Sequence, residues 1–308
     1  MAREWTVPPE LDGWRLDKAV VKLAEGLSRA RIRKAIDDGL VRVGGRRRPK
    51  GATVAAGEVV SVEVEEVPSP DAPATPTPGA PLAVLLERAD VIVVDKPAGQ
   101  PTAPLRPGET GTLANALVGR WPELAGVGYG PREPGLLHRL DTGTSGAVVV
   151  ARSAAVFDAL RAALQDGRLR KRYLLVCASD GLPDTMTIEH PLANHPKDQR
   201  RVLACVHPRD VMRLRPRPAR TELRVVRRGA KWALVEALAP KALRHQIRAH
   251  FAAIEHPLAG DELYGSEPVE GFARHALHAS HVAFDGSAEV DAFEADAPLP
   301  AELAALVG

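Results

Sequence analysis

The sequence predicts an α+β fold built on a mixed, mainly antiparallel sheet, with a small α/β module ahead of it. Three features carry that expectation. Residues 65–82 hold six prolines in 18 positions and show neither helix nor strand periodicity, so they read as a semi-rigid extended linker. Ahead of them, two helical patterns precede short strands. After them, strand and helix patterns mix without the regular alternation of a doubly wound parallel sheet. The chain accordingly divides into 1–64, the linker 65–82 and 83–308, and no repeat of fixed period runs through it.

Each element follows from local pattern. Leu16, Ala19, Val20, Leu23 and Ala24 recur at helical spacing. Ser28 is a good N-cap for a second helix through Ile32 and Ile36, which Gly39 ends. Val41 and Val43, then Val59, Ser61, Val62 and Val64, read as short strands around a basic turn from Arg46 to Lys50. Beyond the linker, Val91 to Val94 is a buried strand entering the turn Lys96-Pro97-Ala98-Gly99, and a helix runs from Gly111 to Leu117. Ala147 to Ala151 is an apolar strand. Phe157, Leu160 and Leu164 mark an amphipathic helix with Arg161 on its flank. Arg172 to Cys177 is a strand, and Thr221 to Val226 with Trp232 to Ala237 forms an antiparallel pair turning near Gly229.

Composition excludes several classes. Apolar residues at 45% and charged residues at 26% are those of a globular protein with a full core. No apolar run approaches the roughly 18 residues needed to span a bilayer, and no signal-peptide pattern opens the chain. Two cysteines, Cys177 and Cys205, give neither a disulfide framework nor zinc-type spacing, so a reducing cytoplasm is expected. The net charge of +2 conceals a segregation. Ser28 to Lys50 carries nine basic residues against two acids, a net of +7, and Arg161 to Arg228 carries 16 against seven, a net of +9. Such faces suit a polyanion, because neutralised phosphates release counterions.

The densest chemistry lies in His138-Arg139-Leu140-Asp141-Thr142-Gly143-Thr144-Ser145-Gly146. One carboxylate stands between a cation and a run of small turn-formers, directly ahead of the apolar strand. Gly143 and Gly146 let the backbone approach a ligand, and Thr142, Thr144 and Ser145 offer hydroxyls. On an extended backbone Arg139 and Asp141 would face the same side. A carboxylate so placed can serve as nucleophile or base. It can equally form an Asx turn that ends a hairpin.

The stretch Pro134-Gly135-Leu136-Leu137-His138-Arg139-Leu140-Asp141-x-x-Thr144-Ser145-Gly146 resembles the central motif of the RluA-type pseudouridine synthases, RNA-modifying enzymes whose one indispensable catalytic residue is that Asp. Further matches follow in family order along most of the chain. Lys96-Pro97-Ala98-Gly99 and Gly111-Thr112-Leu113-Ala114-Asn115-Ala116-Leu117 resemble the preceding segments. Tyr173, in Lys171-Arg172-Tyr173, matches the active-site Tyr, a flat face for uracil and a hydroxyl for proton handling. His245-Gln246-Ile247-Arg248-Ala249-His250 resembles the helix whose Arg pairs with the catalytic carboxylate, here Arg248, with Ile247 against the bound base. The resemblance implies Asp141, Tyr173 and Arg248 as catalytic. It makes Arg139 the residue that fills the gap left by the flipped base, and Ile247, His138 and Thr144 further substrate contacts. His256-Pro257-Leu258-Ala259-Gly260-Asp261-x-x-Tyr264-Gly265 resembles the closing motif and reads as scaffold, as do Leu277-His278-Ala279 and Ala297-Pro298-Leu299-Pro300.

The segment before the linker, through Arg15-Leu16-Asp17, Ser28-Arg29, Gly39-Leu40-Val41-Arg42-Val43 and Gly57-Glu58, resembles the alpha-L RNA-binding domain first known from a ribosomal small-subunit protein. In that family the basic helix and following turn grip RNA backbone, which implies Arg29, Arg31, Arg33, Lys34, Arg46, Arg47 and Arg48 as RNA contacts. The resemblance as a whole implies a catalytic domain of the pseudouridine synthase type over 83–308. It would isomerise specific uridines in structured ribosomal or transfer RNA, as a cytoplasmic monomer with no membrane partner, metal or small-molecule cofactor. One departure stands out: Ala242-Leu243-Arg244 replaces the usual Gly-Arg-Thr, altering the turn and cap before the helix and bearing on substrate choice. Two rivals are weighed. A non-catalytic ribosome-assembly protein on the same fold would be marked by loss of Asp141, Tyr173 or Arg248, and all three are present. A hydrolase using Ser145, His138 and Asp141 lacks the strand–turn–helix elbow such serines occupy. His245 and His250 are spaced i, i+5, which splays them around a helix and suits no metal.

Overall fold

A computed structural model describes residues 2–24, 29–63, 69 and 71–308. Two compact units emerge, Met1–Ser69 and Pro70–Gly308. The first contains strand β1 (Ala2–Thr6), helices α1 (Leu16–Leu23) and α2 (Arg29–Asp37), and strands β2 (Val41–Val43), β3 (Arg46–Arg47) and β4 (Val59–Glu63). Its antiparallel sheet runs β1-β4-β2-β3. Leu16, Ala19 and Val20 of α1 pack with Ile32 of α2 and Val41, Val43, Val60 and Val62 of the sheet. The expected basic turn is in part a strand. Gly44 and Gly45, at φ 56° and 78°, make a two-residue hairpin loop, and Arg46 and Arg47 already lie on its return arm. The proposed cap Ser28 and strand residue Val64 lie outside the described residues.

The second unit runs β5 (Ala83–Glu87), β6 (Val91–Lys96), α3 (Leu113–Arg120), β7 (Ser145–Ala151), α4 (Ala154–Asp166), β8 (Leu169–Ala178), β9 (Thr185–Ile188), β10 (Leu192–Asn194) and β11 (Val202–Ala204). It continues with α5 (Pro208–Leu214), β12 (Thr221–Arg228), β13 (Trp232–Leu238), α6 (Gln246–Ala253), β14 (Leu277–Phe284), β15 (Phe293–Asp296) and α7 (Ala301–Ala305). The main sheet is ordered β5-β6-β7-β14-β8-β13-β12-β9, with β15 on β14 and β10-β11 apart. Every pairing in it is antiparallel except β7 with β14. That is the mixed, mainly antiparallel sheet expected.

Local chemistry sets these elements. A reciprocal capping box starts α3, with Asn115 N–H donating to Thr112 Oγ1 and Thr112 N–H donating to Asn115 Oδ1. Ser153 caps α4, and left-handed Gly167 ends it. Strand β7 is buried on both faces, its Val148 and Val150 in one core cluster and Ala147, Val149 and Ala151 in the other. Each buried Val there contributes roughly 1.5–3 kcal/mol. Where β7 meets β14, Gly146 has φ 115°, and a Cβ on it would lie 2.2 Å from Ala279 O. Only glycine fits that crossing.

The Pro-rich stretch departs from expectation. From Asp71 onward it belongs to the second unit as a strap over α3, not a spacer. Ala74 N–H donates to Pro131 O, Thr77 N–H to Asn115 O, and Asn115 Nδ2 to Thr75 O, so the helix supplies partners that an extended backbone lacks. Gly119 makes room, since a Cβ there would lie 2.5 Å from the Thr77 carbonyl. The pattern also left several elements unread: β1, β5, the short edge strands β9 to β11, β15, α5 and α7.

Candidate active site

Asp141 sits in the turn ahead of β7, where Thr144 N–H donates to its carbonyl at 3.0 Å. Thr102 Oγ1 braces the approach, donating to Leu140 O and accepting from Leu140 N–H. The carboxylate is a quarter exposed. Arg248 of α6 donates Nη1 to Asp141 Oδ2 at 2.9 Å. The same guanidinium forks onto Asp261, Nε to Oδ2 at 2.7 Å and Nη2 to Oδ1 at 2.8 Å. Asp261 is buried, so this fork fixes Arg248 before it reaches Asp141. His245 Nε2 stands 3.7 Å from Asp141 Oδ1, and its Nδ1 is 3.1 Å from Tyr264 Oη. Arg248 and Arg201 both lie over the Tyr264 ring, at 5.0 and 5.2 Å from its centroid.

Electrostatics follow from this packing. Burial pushes the Asp141 carboxyl up, but His245, Arg248 and His275 outweigh it and hold the group below the usual carboxylate value. Burial lowers His245, and it takes His275 down to about 4. Both rings are therefore neutral near pH 7, which leaves Arg248 as the charge that keeps Asp141 ionised there. Tyr173, on β8, is buried in the same cluster as Ile247. Burial and the Asp141 charge raise its phenol above the ordinary range, so it stays a neutral donor. Lys96, fully buried, is lowered by burial to about 8. Its Nζ donates to Pro97 O and Gln100 O, and at 3.4 Å to Thr142 O.

The structure thus brings Asp141 and Arg248 together, with Tyr173 close enough to feel the Asp141 charge. The other candidates have their own protein surroundings. His138 is turned inward: Val149 N–H donates to its Nε2 at 3.2 Å, and its Nδ1 is buried without a partner. The ring thus bonds the backbone of β7, and the residue as a whole is half-buried. Ile247 is a core residue, and buried Thr144 places Oγ1 2.8 Å from His275 Nε2. Arg139 turns away from Asp141 to pair with Glu133 at 3.2 Å, and stays mostly exposed. In the first unit Arg29, Arg33, Arg46 and Arg47 are exposed. Lys34 pairs with Asp38, and Arg48 is engaged by Glu58 at 2.6 Å. The Arg31 side chain lies outside the described residues.

The departure at 242–244 has a visible consequence. His245 takes the helix cap position at φ 52° without a side-chain cap, and Gln246 instead ties back the preceding turn by accepting from Leu243 N–H at 3.0 Å. Leu243 packs with Leu192, Val202 and Tyr264, while Arg244 Nη2 donates to Gln199 O at 2.6 Å. Sequence reasoning passed over Asp261 and Tyr264 as scaffold. The available signal was Asp261 directly after a Gly turn that closes the apolar run Pro257-Leu258-Ala259.

Comparison with known proteins agrees with this geometry. The family model described as RNA pseudouridylate synthase matches residues 90–253, and the S4 domain model matches 14–60. The ribosomal large subunit pseudouridine synthase D of Haemophilus ducreyi is 31% identical over all of this chain and 95% of its own. An uncharacterized RNA pseudouridine synthase of Bacillus subtilis is 32% identical over 98% of this chain and 96% of its own. Two human proteins, RNA pseudouridylate synthase domain containing 1 and 4, share the fold with TM-scores of 0.55 and 0.56 over 72% of this chain and 86% and 90% of theirs, at 24% and 18% identity. The chain belongs to the RluA-type RNA pseudouridine synthases and carries an S4 RNA-binding domain ahead of its synthase unit.

Proposed function

We propose that this synthase isomerises specific uridines in structured RNA with Asp141 as its catalytic carboxylate, and that the RNA is ribosomal in the first instance, transfer RNA in the second. The observation that carries the reading is the Arg248–Asp141 pair, an ionised carboxylate with a buried, neutral Tyr173 near enough to feel its charge. The ribosomal preference follows the relatives called ribosomal large subunit pseudouridine synthase D.

The chemistry needs no redox change. The glycosidic bond from C1′ to N1 breaks, uracil rotates, C5 bonds to C1′, and the proton lost from C5 is balanced by one gained at N1. A carboxylate held ionised can open this sequence by attacking C1′, by attacking the base, or by removing a ribose proton. The uridine must first leave its stack, at a cost of a few kcal/mol offset by pocket contacts. In this reading Arg139, mostly exposed and paired only with Glu133 among the described residues, would leave that partner to fill the vacated position. The S4 domain adds phosphate contacts through Arg29, Arg33, Arg46 and Arg47. In this reading the enzyme works as a monomer in the cytoplasm.

Asp141→Asn keeps the shape of the site and removes its charge. It is expected to abolish tritium release from C5-labelled uridine RNA while RNA affinity stays within a few-fold. Turnover by the Asn variant defeats the reading. Pseudouridine mapping of ribosomal and transfer RNA with and without the protein identifies the target. A map that does not change favours the non-catalytic ribosome-assembly role.

A further inference from the structure

The loop after Asp141 is held residue by residue from other elements. Thr142 O accepts from Gly99 N–H at 2.7 Å and from Lys96 Nζ. Gly143 O accepts from Arg274 Nη1 at 3.1 Å. Thr144 Oγ1 meets His275 Nε2, and Ser145 Oγ lies 2.9 Å from His278 Nδ1. Gly146 pairs in parallel with Ala279. From Gly143 onward the partners run in order, 274, 275, 278 and 279, so the entry to β14 lies alongside the loop like the second half of a zipper.

Arg274 differs from the rest of that row. Its largely buried guanidinium carries a full charge, and Nη1 reaches three carbonyls, Gly143 O at 3.1 Å, Leu277 O at 3.2 Å and His275 O at 3.4 Å. One carbonyl belongs to the loop and two to its partner segment. Nη2 donates to Glu302 Oε1 of α7 at 2.9 Å, and the group lies over the Phe272 ring at 5.4 Å. A rigid planar fork can hold two chains at one spacing while a carboxylate fixes its far end; an ammonium has no such far end.

We propose that Arg274, braced by Glu302, is a positioning residue for the reaction, setting the place of the catalytic loop and through it of Asp141. The proposal rests on the reading of Asp141 as the reacting carboxylate. Transmission is short: Gly143 lies between Asp141 and Thr144, whose backbone bond closes the turn. Without Arg274 the Gly143 carbonyl loses its donor and the loop loses its tie to the segment carrying His275. Asp141 can then drift, and a misplacement of about 1 Å costs on the order of 100-fold in rate. Arg274 points at protein carbonyls and Glu302, so RNA affinity should not depend on it.

The test compares Arg274→Ala, Arg274→Lys, Glu302→Gln and Asp141→Asn in the full-length protein. Tritium release gives kcat and KM for RNA, and thermal melting gives the folded fraction. Arg274→Ala is expected to lower kcat per folded molecule by about 100-fold with KM nearly unchanged. Arg274→Lys should recover part of that loss, and Glu302→Gln should show a smaller loss in the same parameter. Full kcat in folded Arg274→Ala, or a fall that only tracks lost folded protein, overturns the proposal. If Arg274→Ala does not fold, the half-exposed Glu302 decides: unchanged kcat in Glu302→Gln overturns it, and a kcat loss at constant KM upholds it. An active Asp141→Asn instead overturns the reading of Asp141, a result distinct from failure of the clamp.

Discussion

Arg248 lies between two carboxylates and treats them differently. Asp261 takes the bidentate side of the guanidinium and Asp141 takes a single Nη1 bond. The buried acid therefore fixes the cation, and the cation holds the accessible acid ionised. Arg248→Ala removes the charge that offsets burial, so the Asp141 pKa must rise, because its charged form loses the stabilising partner. The activity limb that requires ionised Asp141 is then expected to move to higher pH in a pH–rate profile. An unchanged profile with full activity refutes the role of Arg248. Nothing in residue spacing announces this pair, whose members lie 107 positions apart. Its legibility came from the motif resemblance, and the Asp261 fork behind it was missed because a motif names a residue without saying what it touches.

Strands and turns were legible in proportion to how far their own sequence determined them. The run Val148-Val149-Val150 could only be a strand buried on both faces, and α3 and α4 carry their caps in the sequence. The edge strand β9, with three of its four residues exposed, and the three-residue β10 and β11 have no such signature, because pairing makes them strands. The prolines between 71 and 82 forbade helix correctly but gave no sign of the α3 surface that meets Thr75 and Thr77. At the β7–β14 crossing, glycine is obligatory on two counts, a positive φ and the approach of Ala279. Gly146→Ala should destabilise the enzyme by roughly 1–3 kcal/mol from backbone strain alone, with the clash adding to it. Chemical denaturation reads that change, and wild-type stability in the Ala variant would show that the crossing relaxes.

At the scale of the whole chain, the basic stretch Ser28 to Lys50 lies in a different unit from the chemistry, while the basic stretch Arg161 to Arg228 shares the unit of the chemistry. The exposed Arg29, Arg33, Arg46 and Arg47 belong to the unit Met1–Ser69, whereas Asp141, Tyr173 and Arg248 belong to Pro70–Gly308. Removing residues 1–69 should weaken binding to long structured RNA and flatten its salt dependence, each lost phosphate contact lowering the slope of log K against log salt by roughly 0.9. Single-turnover rates at saturating enzyme should persist. Identical affinity and slope in the truncated protein would deny the domain its role as an anchor. The zipper along the 142–146 loop also bears on how the enzyme comes into being. Ser145 meets His278, 133 positions further along the chain, so the contact is a long-range closure that local folding cannot supply. Helices and hairpins can form locally during refolding, but one side of the reactive loop is completed only by that distant segment. Damage confined to that far segment would therefore reach the reactive loop while leaving the exposed arginines of the unit Met1–Ser69 unchanged.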